Sequence, residues 1–257
     1  MQKIVAIINQ KGGVGKTTTS INLSCGLARK DKRVLLIDMD PQAHSSIGLD
    51  IEPGSYQLAI NDVLVNKKPI QEIILSTKIK NLFIAPSHIR LDKAEHQLTP
   101  EMFREAFLAK AIKGLDYDFI VIDCRPTLGT LTINALYASN FIIVPCETGR
   151  YALDGFADLM EAVDKVKNHG NQREQFIRIL LTKYEHRNRV TNEWVLEQLA
   201  PFKNLMFETI VRKNEAINQA HMAQEPIFIF KPDSIGAHDY ENLTNEFLSL
   251  CHQLEIN

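Results

Sequence analysis

Lys3-Ile4-Val5-Ala6-Ile7-Ile8-Asn9-Gln10-Lys11-Gly12-Gly13-Val14-Gly15-Lys16-Thr17-Thr18 is the stretch on which the reading of this chain turns. A short β-branched apolar run leads into glycines and then into a helical pattern over 17–29. Glycines let backbone N–H groups turn inward around a phosphate, and the N-terminus of the following helix adds partial positive charge. In that setting Lys16 reaches the β- and γ-phosphates and the Thr17 hydroxyl ligates Mg²⁺. Residues 10–18 therefore predict a nucleotide cradle formed by Lys11, Gly12, Gly13, Val14, Gly15, Lys16, Thr17 and Thr18. The strict G-x-x-x-x-G-K-[ST] spacing fails at one place: Gln10 stands where the first glycine belongs, and Lys11 is an added cation.

Working outward, apolar runs at 4–8, 34–37, 82–85, 119–122, 141–144 and 177–181 lack polar alternation, which suits strands buried on both faces. Helical patterns at 17–29, 101–113, 131–138, 153–168, 192–199 and 239–254 separate them. This alternation predicts an α/β fold, a single doubly wound and mostly parallel sheet flanked by helices. No linker or repeat interrupts it, so 1–257 reads as one domain with nothing preceding the first strand. The composition, 45% hydrophobic and 23% charged over 257 residues, is ordinary for a globular protein. A net charge of −2 excludes coating of nucleic acid by bulk positive charge but leaves room for a local patch. Scattered Cys25, Cys124, Cys146 and Cys251 and the lack of an export leader or an apolar run of about 18 residues point to the cytoplasm. The eight histidines do not cluster as zinc ligands would.

Two acidic motifs complete the predicted site. Leu35-Leu36-Ile37-Asp38-Met39-Asp40-Pro41-Gln42 puts two carboxylates at the C-terminal end of a strand, where ligands of open α/β sheets bind. A carboxylate there can orient an attacking water or bind magnesium, whereas Asp38 could equally be a strand-end cap. Phe119-Ile120-Val121-Ile122-Asp123 is four apolar residues followed by an acid, which predicts Asp123 as a magnesium carboxylate acting through water.

The loop Lys11-Gly12-Gly13-Val14-Gly15-Lys16-Thr17-Thr18 resembles the deviant Walker A of the ParA/MinD ATPases. Asp38-Met39-Asp40-Pro41-Gln42 resembles that family's first switch (38–46), and 119–129 its Walker B and second switch. Tyr151-Ala152-Leu153-Asp154-Gly155 and Leu131-Thr132-Ile133-Asn134-Ala135-Leu136 extend the likeness to the ParA/Soj partition ATPases over nearly the whole chain. The resemblance implies ATP and Mg²⁺ as cofactors, a homodimer formed on ATP binding with Lys11 reaching the partner's phosphates, and hydrolysis requiring Asp40. It also implies slow turnover stimulated by a ParB-like partner and non-specific DNA binding in chromosome or plasmid partition. Candidate DNA contacts are Lys183, Arg187, Arg189 and Lys213, with Arg212 beside it; Asn214 matches the family's adenine wall.

Departures are equally specific. Arg125 replaces a proline of the second switch: either it re-tunes this surface, changing hydrolysis rate or partner contacts, or, the preferred expectation, it points to solvent. Arg212 replaces another proline, and Ala216 stands where an arginine is usual; Glu185, Glu193 and Glu215 dilute the basic patch. Trp194, Met160 and Phe156 fit a core or dimer face. The chain's end carries acids and no Lys or Arg, unlike the membrane helix of the MinD branch, and the cysteines lack the setting of an iron–sulfur branch. Three alternatives stay open: a nucleotide-dependent regulatory module with little turnover, a positioning ATPase for a protein assembly, and a dethiobiotin-synthetase-like ligase.

Overall fold

The computed structural model describes residues 2–149, 155–168 and 175–256. The strands are β1 (Lys3–Ile7), β2 (Val34–Met39), β3 (Leu75–Ser76), β4 (Leu82–Ala85), β5 (Phe119–Cys124), β6 (Phe141–Glu147) and β7 (Phe176–Thr182). They form one sheet in the order β3-β4-β2-β5-β1-β6-β7. Every neighbouring pair is parallel except β3 with β4. The helices are α1 (Lys16–Arg29), α2 (His44–Ile47), α3 (Ile60–Leu64), α4 (Arg90–Leu98), α5 (Phe107–Ala111) and α6 (Thr130–Ala138), then α7 (Phe156–Asn168), α8 (Arg189–Leu199), α9 (Glu215–Met222), α10 (Ile227–Phe230) and α11 (Ile235–Ile256).

Alternate residues of each strand enter two separate cores. Ile4, Ala6, Ile120 and Ile122 pack with α4, α6 and α7 on one face. Val5, Ile7, Val121 and Ile143 pack with α1 and α11 on the other. The apolar runs are continuous because neither face meets water.

All six expected strands appear, four of them two or three residues longer and the first shifted by one residue. The expected helix over 101–113 does not form as one piece. A 3₁₀ turn at Arg104–Ala106 precedes α5, and Phe103 sits at φ 57° in the left-handed region, which interrupts the helical path. The two-residue edge strand β3 and the helices α2, α3, α4, α9 and α10 were not foreseen; they are short or polar, so their periodicity is weak. Among the described residues no helix is long and apolar enough to cross a membrane.

The central strands converge on the site. Asp38 and Asp123 are directly paired across β2 and β5, and Asp123 pairs with Ile7 at the end of β1. The glycine loop leaves β1 beside them.

Candidate active site

The loop from β1 to α1 is pinned from several sides. Asn9 Nδ2 donates to Pro145 O at 2.7 Å, and Asn9 Oδ1 accepts the Lys11 N–H at 2.9 Å. Thr182 Oγ1 donates to Val14 O at 2.8 Å, tying the loop to the end of β7. Gln10, which breaks the glycine spacing, donates through Nε2 to Gly155 O at 3.1 Å. Tyr151, Ala152, Leu153 and Asp154 of the motif before Gly155 lie outside the described residues.

Gly15 caps α1 at φ 90°, ψ 25°, a conformation that favours glycine. A Cβ placed on Gly12 or Gly13 would meet nothing within 4 Å, so the loop leaves an open cradle. No acid occupies the first turn of α1, which leaves its N–H groups and partial positive charge available to an anion. Lys16 is buried, and its Nζ donates to Lys11 O at 2.9 Å. Burial pulls its ammonium below the ordinary lysine value, against the attraction of Asp123 and Asp40.

A cleft of about 830 Å³ opens on this loop. Lys16, Thr17, Thr18 and Asp40 line one side of it, and Ile217, Asn218 and His221 of α9 another. Asp123 is fully buried just behind: Ser20 Oγ and Ser45 Oγ donate to its two oxygens at 2.9 and 2.7 Å, and the Thr17 hydroxyl also bonds to it. Asp38 is equally buried. Its carboxylate accepts the Asp40 N–H at 3.2 Å, and the Ser46 N–H and Oγ at 2.9 and 2.8 Å. It is thus the strand-end cap that the sequence allowed. Burial, with Asp123 alongside, pushes the Asp38 carboxyl up to about 8, and burial raises Asp123 as well. Two adjacent buried acids short of countercharge, next to the Thr17 hydroxyl, are the setting a divalent cation fits. Asp40 is half-buried at the cleft wall, where its Oδ1 accepts the Gln42 N–H at 3.0 Å.

Ser20 and Ser45 were missed in the sequence. Ser20 follows Lys16 by one helical turn, a spacing that could have marked it; Ser45 carries no such signal.

The basic candidates divide. Lys183, in the left-handed region at φ 51°, lines the cleft itself. Arg187 and Arg189 are exposed, and among the described residues neither forms an ion pair. Lys213 instead pairs with Glu185 at 2.7 Å, and Arg212 is held by Asp239 at 2.5 Å. Each of these two candidate DNA contacts thus already has a carboxylate partner in the folded chain. Asn214 caps α9, its Oδ1 accepting the Ala216 N–H at 2.8 Å, while its neighbours Glu215, Ile217 and Asn218 face the cleft. Arg125 does not point to solvent: it pairs with Asp92 and Glu95 of α4. Phe156 is buried against Phe202 and Met160 packs on the same core, whereas Trp194 stays 41% exposed. All four cysteines are buried, and none forms a disulfide among the described residues.

Residues 2–176 match the family described as AAA domain. The chain is 40% identical over 248 residues to the sporulation initiation inhibitor protein Soj of Bacillus subtilis (strain 168), covering 96% of this chain and 98% of that protein. It is 38% identical over 248 residues to the chromosome partitioning protein ParA of Myxococcus xanthus (strain DK1622), covering 96% and 88% of the two. Among solved structures, cobyrinic acid a,c-diamide synthase from Mycobacterium smegmatis with bound ATP analog and magnesium matches with a TM-score of 0.83 at 27% identity, covering 96% of this chain and 95% of that one.

Proposed function

The chain belongs to the Soj/ParA family of P-loop ATPases, and on that premise we infer that it is a switch that dimerises on ATP and is reset by hydrolysis. It is an ATPase using ATP and Mg²⁺, and its activity serves partition. The observation that carries the reading is the meeting of Lys16, Thr17 and Asp40 on one cleft, with Asp123 buried behind Thr17. The higher identity to partition proteins than to the synthase favours a switch over a ligase.

In this reading the loop N–H groups and the N-terminus of α1 bind the phosphates, and Lys16 leaves Lys11 O to neutralise the β/γ end. Bound magnesium supplies positive charge against the phosphate oxygens. Thr17 and Asp123 would hold it, with the Asp123 carboxylate fixed by Ser20 and Ser45. Asp40 orients the attacking water from the cleft wall. Lys11 extends to the phosphates of a second subunit, a cation that arrives only on dimerisation. Ile217 and Asn218 support a base-binding role for α9, with the Asn214 side-chain nitrogen at its start.

We place non-specific DNA binding on Arg187 and Arg189, with Lys183 acting nearer the nucleotide, because Arg212 and Lys213 are already paired. Such contacts bind phosphate and carry no sequence readout. A ParB-like protein is the proposed activator.

Phosphate release with ATP, measured with and without DNA, tests this reading. Asp40→Ala is expected to abolish release while nucleotide still binds; a rate indifferent to that change overturns the assignment. A gel shift at two salt concentrations should show ATP-dependent, salt-sensitive DNA binding, weakened in an Arg187→Ala/Arg189→Ala variant. Equal binding with ATP, with ADP and without nucleotide contradicts the gating.

A further inference from the structure

We propose that Arg125 is a positioning residue of the second switch, its ion pairs to α4 holding the 125–129 turn that the family pattern holds with proline. The inference rests on the hydrolysis reading of the same site, but the clamp itself is a matter of geometry. Arg125 Nη1 contacts Glu95 Oε2 and lies 3.3 Å from Asp92 Oδ1. The Arg125 and Glu95 side chains are 20% and 17% exposed, so the pair is largely shielded from water. Arg125 Nε is buried without a partner among the described residues. The side chain therefore accepts a desolvation cost in order to reach the two acids.

Glu95 carries the restraint further. Its second oxygen, Oε1, accepts the Leu131 N–H at 3.2 Å. That bond caps the start of α6, whose own N-cap, Gly129, supplies no side chain. A Cβ on Gly129 would collide with Glu95 Oε1, so the carboxylate rests directly against bare backbone. Thr99 Oγ1 and Thr130 Oγ1, 3.3 Å apart, stitch α4 to α6 a second time. The turn between Asp123 and α6 is thus fastened to α4 at both ends.

Proline fixes φ near −65° through its ring. Arginine imposes no such limit, so here the restraint comes through the side chain. Arg125, Pro126 and Asp92 line the same cleft as Thr17 and Asp40. The clamp therefore shapes the wall beside the groups that act on the phosphate, and Arg125 acts through that wall.

Hydrogen exchange of residues 124–131 in the nucleotide-free full chain reads the clamp without any turnover; kcat and nucleotide Kd are measured alongside. Arg125→Ala and Glu95→Gln should each speed exchange about tenfold. Each should also lower kcat severalfold with Kd changed less than twofold. The double variant should be no worse than Arg125→Ala, because the two residues act as one unit. Arg125→Pro should restore both protection and kcat. Unchanged exchange in Glu95→Gln, or Arg125→Pro as unprotected and slow as Arg125→Ala, overturns the proposal. Glu95→Gln is nearly isosteric and keeps the test decisive if Arg125→Ala folds poorly. Absence of turnover in the unaltered chain would fault the hydrolysis reading alone, since the exchange measurement still reports on the clamp.

Discussion

Lys16 and Asp38 show what burial does to a charge before a ligand arrives. The Lys16 ammonium, sunk in the loop and bonded to Lys11 O, is held where a phosphate would replace that carbonyl. Truncation to Ala removes a charge-assisted bond of about 1.5–3 kcal/mol. Lys16→Ala should therefore weaken nucleotide binding by about 10- to 150-fold, as measured by calorimetry, and an unchanged affinity would remove Lys16 from the site. Asp38 works the other way. Its carboxyl stands at about 8 in the folded chain against an ordinary 3.8, so folding favours the protonated form. That contribution is complete below about pH 4 and drains away as the pH climbs to 8. In EDTA without nucleotide, Asp38→Asn should flatten this slope, so that the variant gains Tm relative to the unaltered chain between pH 5 and pH 8. Parallel pH profiles would show that Asp38 does not titrate in this window.

At the scale of elements, the legible parts were those whose pattern is strong in one dimension. The β1 run, the Gly15-Lys16-Thr17 start of α1 and the Asp123 strand end could each be read because strand ends in a parallel sheet gather at one edge. What escaped depended on contacts distant in sequence. Ser45 reaches Asp123 across 78 positions, and Arg125 finds Glu95 on a helix whose short polar pattern had not marked it as one. Lys213 and Arg212 looked like free cations until Glu185 and Asp239 were brought beside them by the fold. Packing between helices was also hidden. A Cβ on Gly26 of α1 would collide with Thr244 Oγ1 of α11, and Thr244 is held in place by its bond to Tyr240 O at 2.7 Å. Gly26→Ala should accordingly cost about 1–3 kcal/mol by overpacking, despite alanine's better helix propensity. Urea denaturation measures this, and a stabilised variant would show that α11 yields at no cost.

For the whole molecule, the proposed switch makes this chain half of an assembly. Lys11 follows Gln10 in a loop that already has Lys16 for its own phosphates, and the half-buried Lys11 side chain is left for a different task. The cleft is rimmed by exposed Ile89 and Met222, at 60% and 83% exposure, apolar surface that a second copy would cover. The most direct measurement is sedimentation of the Asp40→Ala chain with ATP and Mg²⁺, with and without Lys11→Ala added. Asp40→Ala should sediment as a dimer with ATP and as a monomer with ADP, and adding Lys11→Ala should return it to monomer while nucleotide still binds. A chain that stays monomeric with ATP, or dimerises equally well without Lys11, would contradict the account.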